Sequence, residues 1–186
     1  SPEGFLLCGD SNQIVHPPFF ARNHDKTLFW RDAELAARQP LQVLRANFRN
    51  GRLVTRVANT LLKIKHARFG SIDRESNFLV EATGADEGVV VLLRDDEAVR
   101  RRLDEQTRRA ASCAVLVLRE EDKAEARQHF RTPLVFAIHE AKGLEYEHIV
   151  LYRFVSERRA EYAEVAAGVE TADLDGDDLA YRRARD

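Results

Sequence analysis

The chain predicts an α/β fold on a parallel sheet, and three observations carry that prediction. Short apolar runs of strand length and β-branched composition recur at 88–94 (GVVVLLR), 114–119 (AVLVLR), 134–138 (LVFAI) and 149–152 (IVLY). Charged segments of helical length separate them from residue 41 onward, which implies right-handed crossovers with helices on both faces of the sheet. Between the last two runs lies the polar segment HEAKGLEYEH. A buried strand cannot easily hold unpaired charge, so His139, Glu140, Lys142, Glu145 and Glu147 are expected at strand ends or in the connection, where ligands bind in such sheets.

In chain order, GFLLCGD at 4–10 reads as a short buried strand ending in a Gly-Asp turn, and Pro17 and Pro18 exclude a helix across the following stretch. Phe19 and Phe20 are equally suited to stacking on a base or to a core. RDAELAARQ is a helical piece that Pro40 terminates. From 41 to 65 a short strand leads through Asn47, Phe48 and Arg49 into an amphipathic helix. Leu53, Val57, Leu61 and Ile64 are its expected buried stripe, and Arg52, Arg56 and Lys63 its basic face. At a strand-to-helix junction Arg49 either reaches into a neighbouring phosphate site or pairs with a carboxylate near the helix start.

FLVEA at 78–82 reads as a short strand within a loop, and 88–94 is expected as a buried one. Asp95 or Asp96 caps a helix reaching about Ala111. Its pairs Glu97/Arg101, Asp104/Arg108 and Glu105/Arg109 read as a solvated face. EEDKAEARQHF is a short helix between the last strands, RFVSERRAEYAEVAAG another, and the tail a loop with a final basic helix.

Composition bounds the function. The chain has 186 residues, 44% hydrophobic and 32% charged, yet 29 basic against 31 acidic residues give a net charge of -2. No global basic field therefore points to nucleic acid, and contacts to it would come from local patches. No apolar run has the length of a membrane span, and SPEGFLL is no signal peptide, so a cytoplasmic protein without membrane partners is expected. Cys8 and Cys113, each in an apolar run, read as small buried hydrophobes. Metal ligation finds no support: the His residues lack ligand spacing, HEAKG has Gly143 where a zinc-protease helix needs His, and Asp178 and Ala184 spoil a calcium loop begun at Asp173. The chain starts at Ser1 and has no Met, as expected of a piece of something longer.

The stretch His139, Lys142, Gly143, Leu144, Glu145 and Tyr146 resembles motif V of the superfamily 1 DNA helicases of the UvrD/Rep type, with Ala137 where that family often has Thr. Leu44, Asn47, Arg49, Ala58 and Asn59 resemble motif IV, with Phe48 for the usual Tyr, and Gly9, Asp10 and Gln13 resemble motif III. The usual Trp after the Gln is replaced by His16 to Phe20.

The resemblance implies a three-layer RecA-like (P-loop NTPase-like) sheet. Residues 1–40 would end the first RecA-like domain and connect it to the second, and 41–186 would be the second, truncated before motif VI. It further implies ATP and magnesium as cofactors, DNA as partner, and a first RecA-like domain in the same polypeptide holding most of the nucleotide. Gln13 would sense the γ-phosphate, Phe48 stack near the base, Arg49 stabilise transition-state charge, and Gly143 and Glu145 lie at the nucleotide with Glu145 on the ribose. His139, Lys142 and one of Phe19 and Phe20 would face DNA. Without a phosphate loop or a magnesium carboxylate, the isolated chain is expected not to hydrolyse ATP. Two other readings are a non-hydrolysing RecA-like interaction module and an unrelated α/β nucleotide-binding domain.

Overall fold

A computed structural model of the chain describes residues 43–70 and 78–175. The expectations for Cys8, Gly9, Asp10, Gln13, Phe19, Phe20, the first helix and the last fall outside these residues. Among the described residues, those as far as Val89 and those from Gly168 make one compact unit, and Val90–Ala167 makes a second. The boundary falls inside the 41–186 stretch expected to be one domain. Both units are α/β, with every strand pair parallel.

In the first unit β1 (Ala46–Asn47) pairs with β2 (Glu81–Ala82), and α1 (Arg52–Phe69) connects them. Gly51 precedes α1 and offers no side-chain cap. Instead the first helical amides, of Arg52 and Leu53, donate to the carbonyls of Asp86 (3.1 Å) and Glu87 (2.8 Å). That approach requires glycine, because a Cβ on Gly51 would stand 2.8 Å from Gly88 Cα.

The buried face of α1 is not the expected one. Thr55 and His66 are its buried residues, while Val57 and Leu61 are exposed. At about 100° per residue, the face through Thr55, Asn59 and His66 lies roughly opposite the Leu53–Ile64 stripe. Asn59 explains the rotation. Its side chain donates to Val80 O (2.8 Å) and accepts from Val80 N (3.3 Å), imitating a neighbouring strand and drawing that face inward.

In the second unit β3 (Cys113–Val117) lies between β4 (Val135–Ala137) and β5 (His148–Leu151). All five residues of β3 are buried, as a central parallel strand requires. Helices α2 (Glu97–Thr107), α3 (Asp122–His129) and α4 (Arg159–Ala166) complete the unit. Its core joins Val115, Val117, Ala126, Phe130, Val135, Ala137 and Tyr152, with the Phe130 and Tyr152 rings edge to face at 5.3 Å. Asp96 caps α2 by accepting from Val99 N (2.9 Å), as expected.

Three expectations need correction here. The run 88–94 is not a buried strand: Val89–Leu93 joins no ladder among the described residues and is exposed, Leu92 by 83%. β5 is not buried on both faces, since Ile149 and Leu151 are open to solvent. The charged face of α2 is not wholly solvated. Asp104 is 4% exposed and accepts from Arg131 N (2.7 Å), Nε (2.8 Å) and Nη2 (2.5 Å), an inward fork in place of the expected pair with Arg108.

Candidate functional site

In the first unit the candidate residues occupy the turn leaving β1. Asn47 Oδ1 accepts from the amides of Arg49 (3.0 Å) and Asn50 (3.1 Å), an Asx turn that sets the backbone between strand and helix. Its partner strand reinforces it, with Thr83 N (3.0 Å) and Oγ1 (3.1 Å) both donating to Asn47 O. On this turn Phe48 is 84% exposed, and Arg49 is exposed beside it. An apolar ring held out by a short, bonded turn cannot serve a core at that position and is available to a flat partner. Asn59, matched with the same motif by sequence, is spent on Val80 and holds structure together.

In the second unit His139, Glu140, Lys142, Gly143, Glu145 and Glu147 all lie in the connection from β4 to β5, as anticipated from their charge. The connection leaves the carboxyl end of β4 through tight turns, with Glu140 N and Ala141 N donating to Ala137 O (3.0 and 3.2 Å) and Leu144 N to Ala141 O (3.0 Å). Gly143 has φ 88 with nothing within 4 Å of a would-be Cβ, so the backbone conformation, not crowding, calls for glycine. His139, Lys142 and Glu145 are exposed on this connection.

Beneath it Glu140 and His139 join a cluster with Lys123 and Glu120, two residues that the sequence did not single out. Lys123, 8% exposed in the first turn of α3, donates to both oxygens of Glu140 (2.8 and 2.9 Å) and also pairs with Glu120. Glu140 Oε2 in turn accepts from Ala137 N (2.8 Å), and His139 Nε2 lies 3.8 Å from Glu120. One weak signal was available: a lysine in a first helical turn opposes the helix dipole and needs compensating carboxylates.

The electrostatics argue against acid–base chemistry within this cluster. Glu120, then Glu140, hold the Lys123 ammonium above its ordinary range, and Lys123, then the Ala137 amide, hold the Glu140 carboxyl below its own. Both stay charged and mutually satisfied at neutral pH, so they anchor the connection instead of exchanging protons. Burial pushes the Cys113 thiol up, which makes it a poor nucleophile.

At the carboxyl ends of β3 and β5, Arg153 adopts φ 56 and joins Asp95 (3.1 Å), Glu157 (2.7 Å) and Glu125. The recess beside it, bounded by Leu118, Tyr152 and Arg158 among others, holds about 10 Å³, room for one water and not for a nucleotide. Among the described residues no group of three metal-ligating side chains occurs, and no helix is long and apolar enough to cross a membrane.

The structure thus gathers Phe48 and Arg49 on one turn of the first unit, and His139, Lys142, Gly143 and Glu145 on one connection of the second. Gln13, Phe19 and Phe20 lie outside the described residues. No family model, curated protein or solved structure matches the chain.

Proposed function

We propose that this chain is part of an ATP-dependent DNA helicase or translocase of the UvrD/Rep-like superfamily 1 type. In this reading it is RecA-like and supplies the across-the-cleft half of an ATP site together with part of a single-stranded DNA track. The observation that carries the reading is the turn after β1. Phe48 is 84% exposed and Arg49 is exposed on a backbone fixed by Asn47, a placement that suits a ring and a guanidinium serving a ligand held chiefly by another domain. The exposed, anchored connection bearing His139, Lys142 and Glu145 is the second support.

The roles follow from the resemblance of these stretches to that family's motifs. Phe48 packs on the nucleotide base, and Arg49 neutralises charge as the γ-phosphoryl group transfers. Glu145 accepts from the ribose hydroxyls, with Gly143 turning the backbone toward it, and Gln13 links the phosphate to DNA. His139 and Lys142 contact the DNA backbone, and Phe19 or Phe20 stacks on a base. ATP and magnesium are held mainly by a phosphate loop and carboxylates of the first RecA-like domain. DNA repair is one process such a motor serves.

The test is single-strand-stimulated ATP hydrolysis by the full-length protein that carries this chain, beside its Arg49→Ala variant at matched folding stability. Loss of an arginine finger typically lowers turnover by about 10³ to 10⁵. A fall of hundreds-fold or more supports the motor. An inactive parent, or an unaffected variant, refutes this use of the turn and favours a non-hydrolysing interaction module.

A further inference from the structure

Among its described residues the second unit leaves a sheet edge and an apolar run open together, and one ion pair sets the geometry between them. Among the described residues β5 hydrogen-bonds β3 on one side only, with His148 N donating to Ser112 O (3.1 Å) and Tyr152 N to Leu116 O (2.9 Å). In a parallel ladder alternate residues face alternate neighbours, so the amides and carbonyls of Ile149 and Leu151 face the free edge. Their side chains are 50% and 57% exposed. An edge of this kind, apolar and without a charge or proline to blunt it, is a template for another strand.

Val90–Leu93 has the composition of a strand, belongs to the same unit, and is between 50% and 83% exposed. Just past its end, Asp95 Oδ2 accepts from Arg153 Nε (3.1 Å), and Arg153 lies just past the end of β5. The bond joins residues 58 apart in sequence. Carried back along both segments, the same offset sets Leu93 against Leu151 and Val91 against Ile149, running in the same direction. Asp95 also receives Arg100 Nη1 (2.5 Å) from α2, so this end of the run is held at two points.

We propose that Val90–Leu93 is a strap that closes onto β5 as a fourth parallel strand in the order β4, β3, β5, strap. In that register Ile149 N–H donates to Val90 O and Leu151 N–H to Leu92 O, while the amides of Leu92 and Arg94 donate to the carbonyls of Ile149 and Leu151. Closing stacks Val91 and Leu93 beside Ile149 and Leu151 on one face and removes apolar surface from water on both segments. In the structure the two segments are unpaired but already joined through Asp95 and Arg153. The strap stands independently of any role in ATP hydrolysis.

Two measurements on the full chain test it. Native-state hydrogen exchange should find the amides of Ile149, Leu151, Leu92 and Arg94 protected. Leu92→Pro, which removes one donor, should speed exchange at Ile149 and Leu151 by about tenfold or more while β3 stays protected, showing the unit still folded. Under oxidation, Val91→Cys/Ile149→Cys should form an intramolecular disulfide, because paired residues on adjacent strands bring their Cα atoms within bridging distance. Leu92→Cys/Ile149→Cys, facing opposite sides of the sheet, should not. Free exchange at Ile149 and Leu151 with no such disulfide overturns the strap. So does a disulfide found only between molecules, which would make a second copy the occupant of the edge.

Discussion

Removing the Asp104 carboxylate should destabilise the second unit selectively and in a pH-dependent way. In Asp104→Ala three accepted bonds disappear, one from the Arg131 amide and two from its guanidinium. Hydrogen bonds to a charged group are worth about 1.5–3 kcal/mol net, and the Arg131 side chain is itself largely solvated, so its share is screened. The sum is about 2–3 kcal/mol, a melting shift on the order of 10 °C for a unit of this size. Burial alone would raise the Asp104 pKa, but the bonds from the Arg131 side chain and amide outweigh it and hold the carboxyl below the usual aspartate range. The stabilisation is therefore present above the unfolded aspartate pKa of about 3.9 and lost as pH falls through the lower folded value. Urea unfolding at several pH values, read by exchange of the β3 amides, should give a constant gap between wild type and variant from neutral pH to about pH 5, closing below about pH 4. A gap under about 0.5 kcal/mol, or one that persists undiminished in acid, refutes the assignment.

Two further perturbations probe the first unit. Gly51→Ala drives a Cβ into the Gly88 backbone and should cost about 1–3 kcal/mol, read as faster amide exchange at Arg52 and Leu53; unchanged exchange there would mean that the contact is not tight. Asn59→Ala frees both backbone groups of Val80 and should cost about 1–3 kcal/mol in chemical denaturation, whereas a cost near zero would show that Asn59 does not hold the rotated face of α1 inward.

Much of the second unit was legible because its signals are local. β4 falls within its apolar run, β3 and β5 each begin one residue before theirs, Asp96 caps the helix that begins after it, and the charges of the His139–Glu147 stretch lie where buried strands exclude them. What escaped depends on partners distant in sequence. GVVVLLR and AVLVLR are alike in composition, yet only the second has neighbours on both sides, and composition carries no record of pairing. The periodicity of α1 suited the Leu53 stripe, but the side chain of Asn59 turned the opposite face inward through Val80, 21 residues away. Asp104 read as a surface charge until Arg131 supplied its partner from 27 residues away. At the candidate site, sequence identified Phe48 and Arg49 but not the Asx turn that presents them, and it singled out His139 and Lys142 without the Lys123 beneath them.

The start of α1 has a consequence for the order in which the chain matures. A helix usually carries its own beginning, in a capping side chain that leaves the ribosome with it. Here the beginning is supplied by the carbonyls of Asp86 and Glu87. At common rates of synthesis those residues emerge about 2–7 s after Arg52. Until then the first turn of α1 has only water to satisfy its amides, and the turn bearing Phe48 and Arg49 borders a frayed end. Docking of Asp86–Gly88 is thus the event that gives the nascent segment a defined shape, and a pause in translation between residues 52 and 86 would lengthen the time that shape is missing.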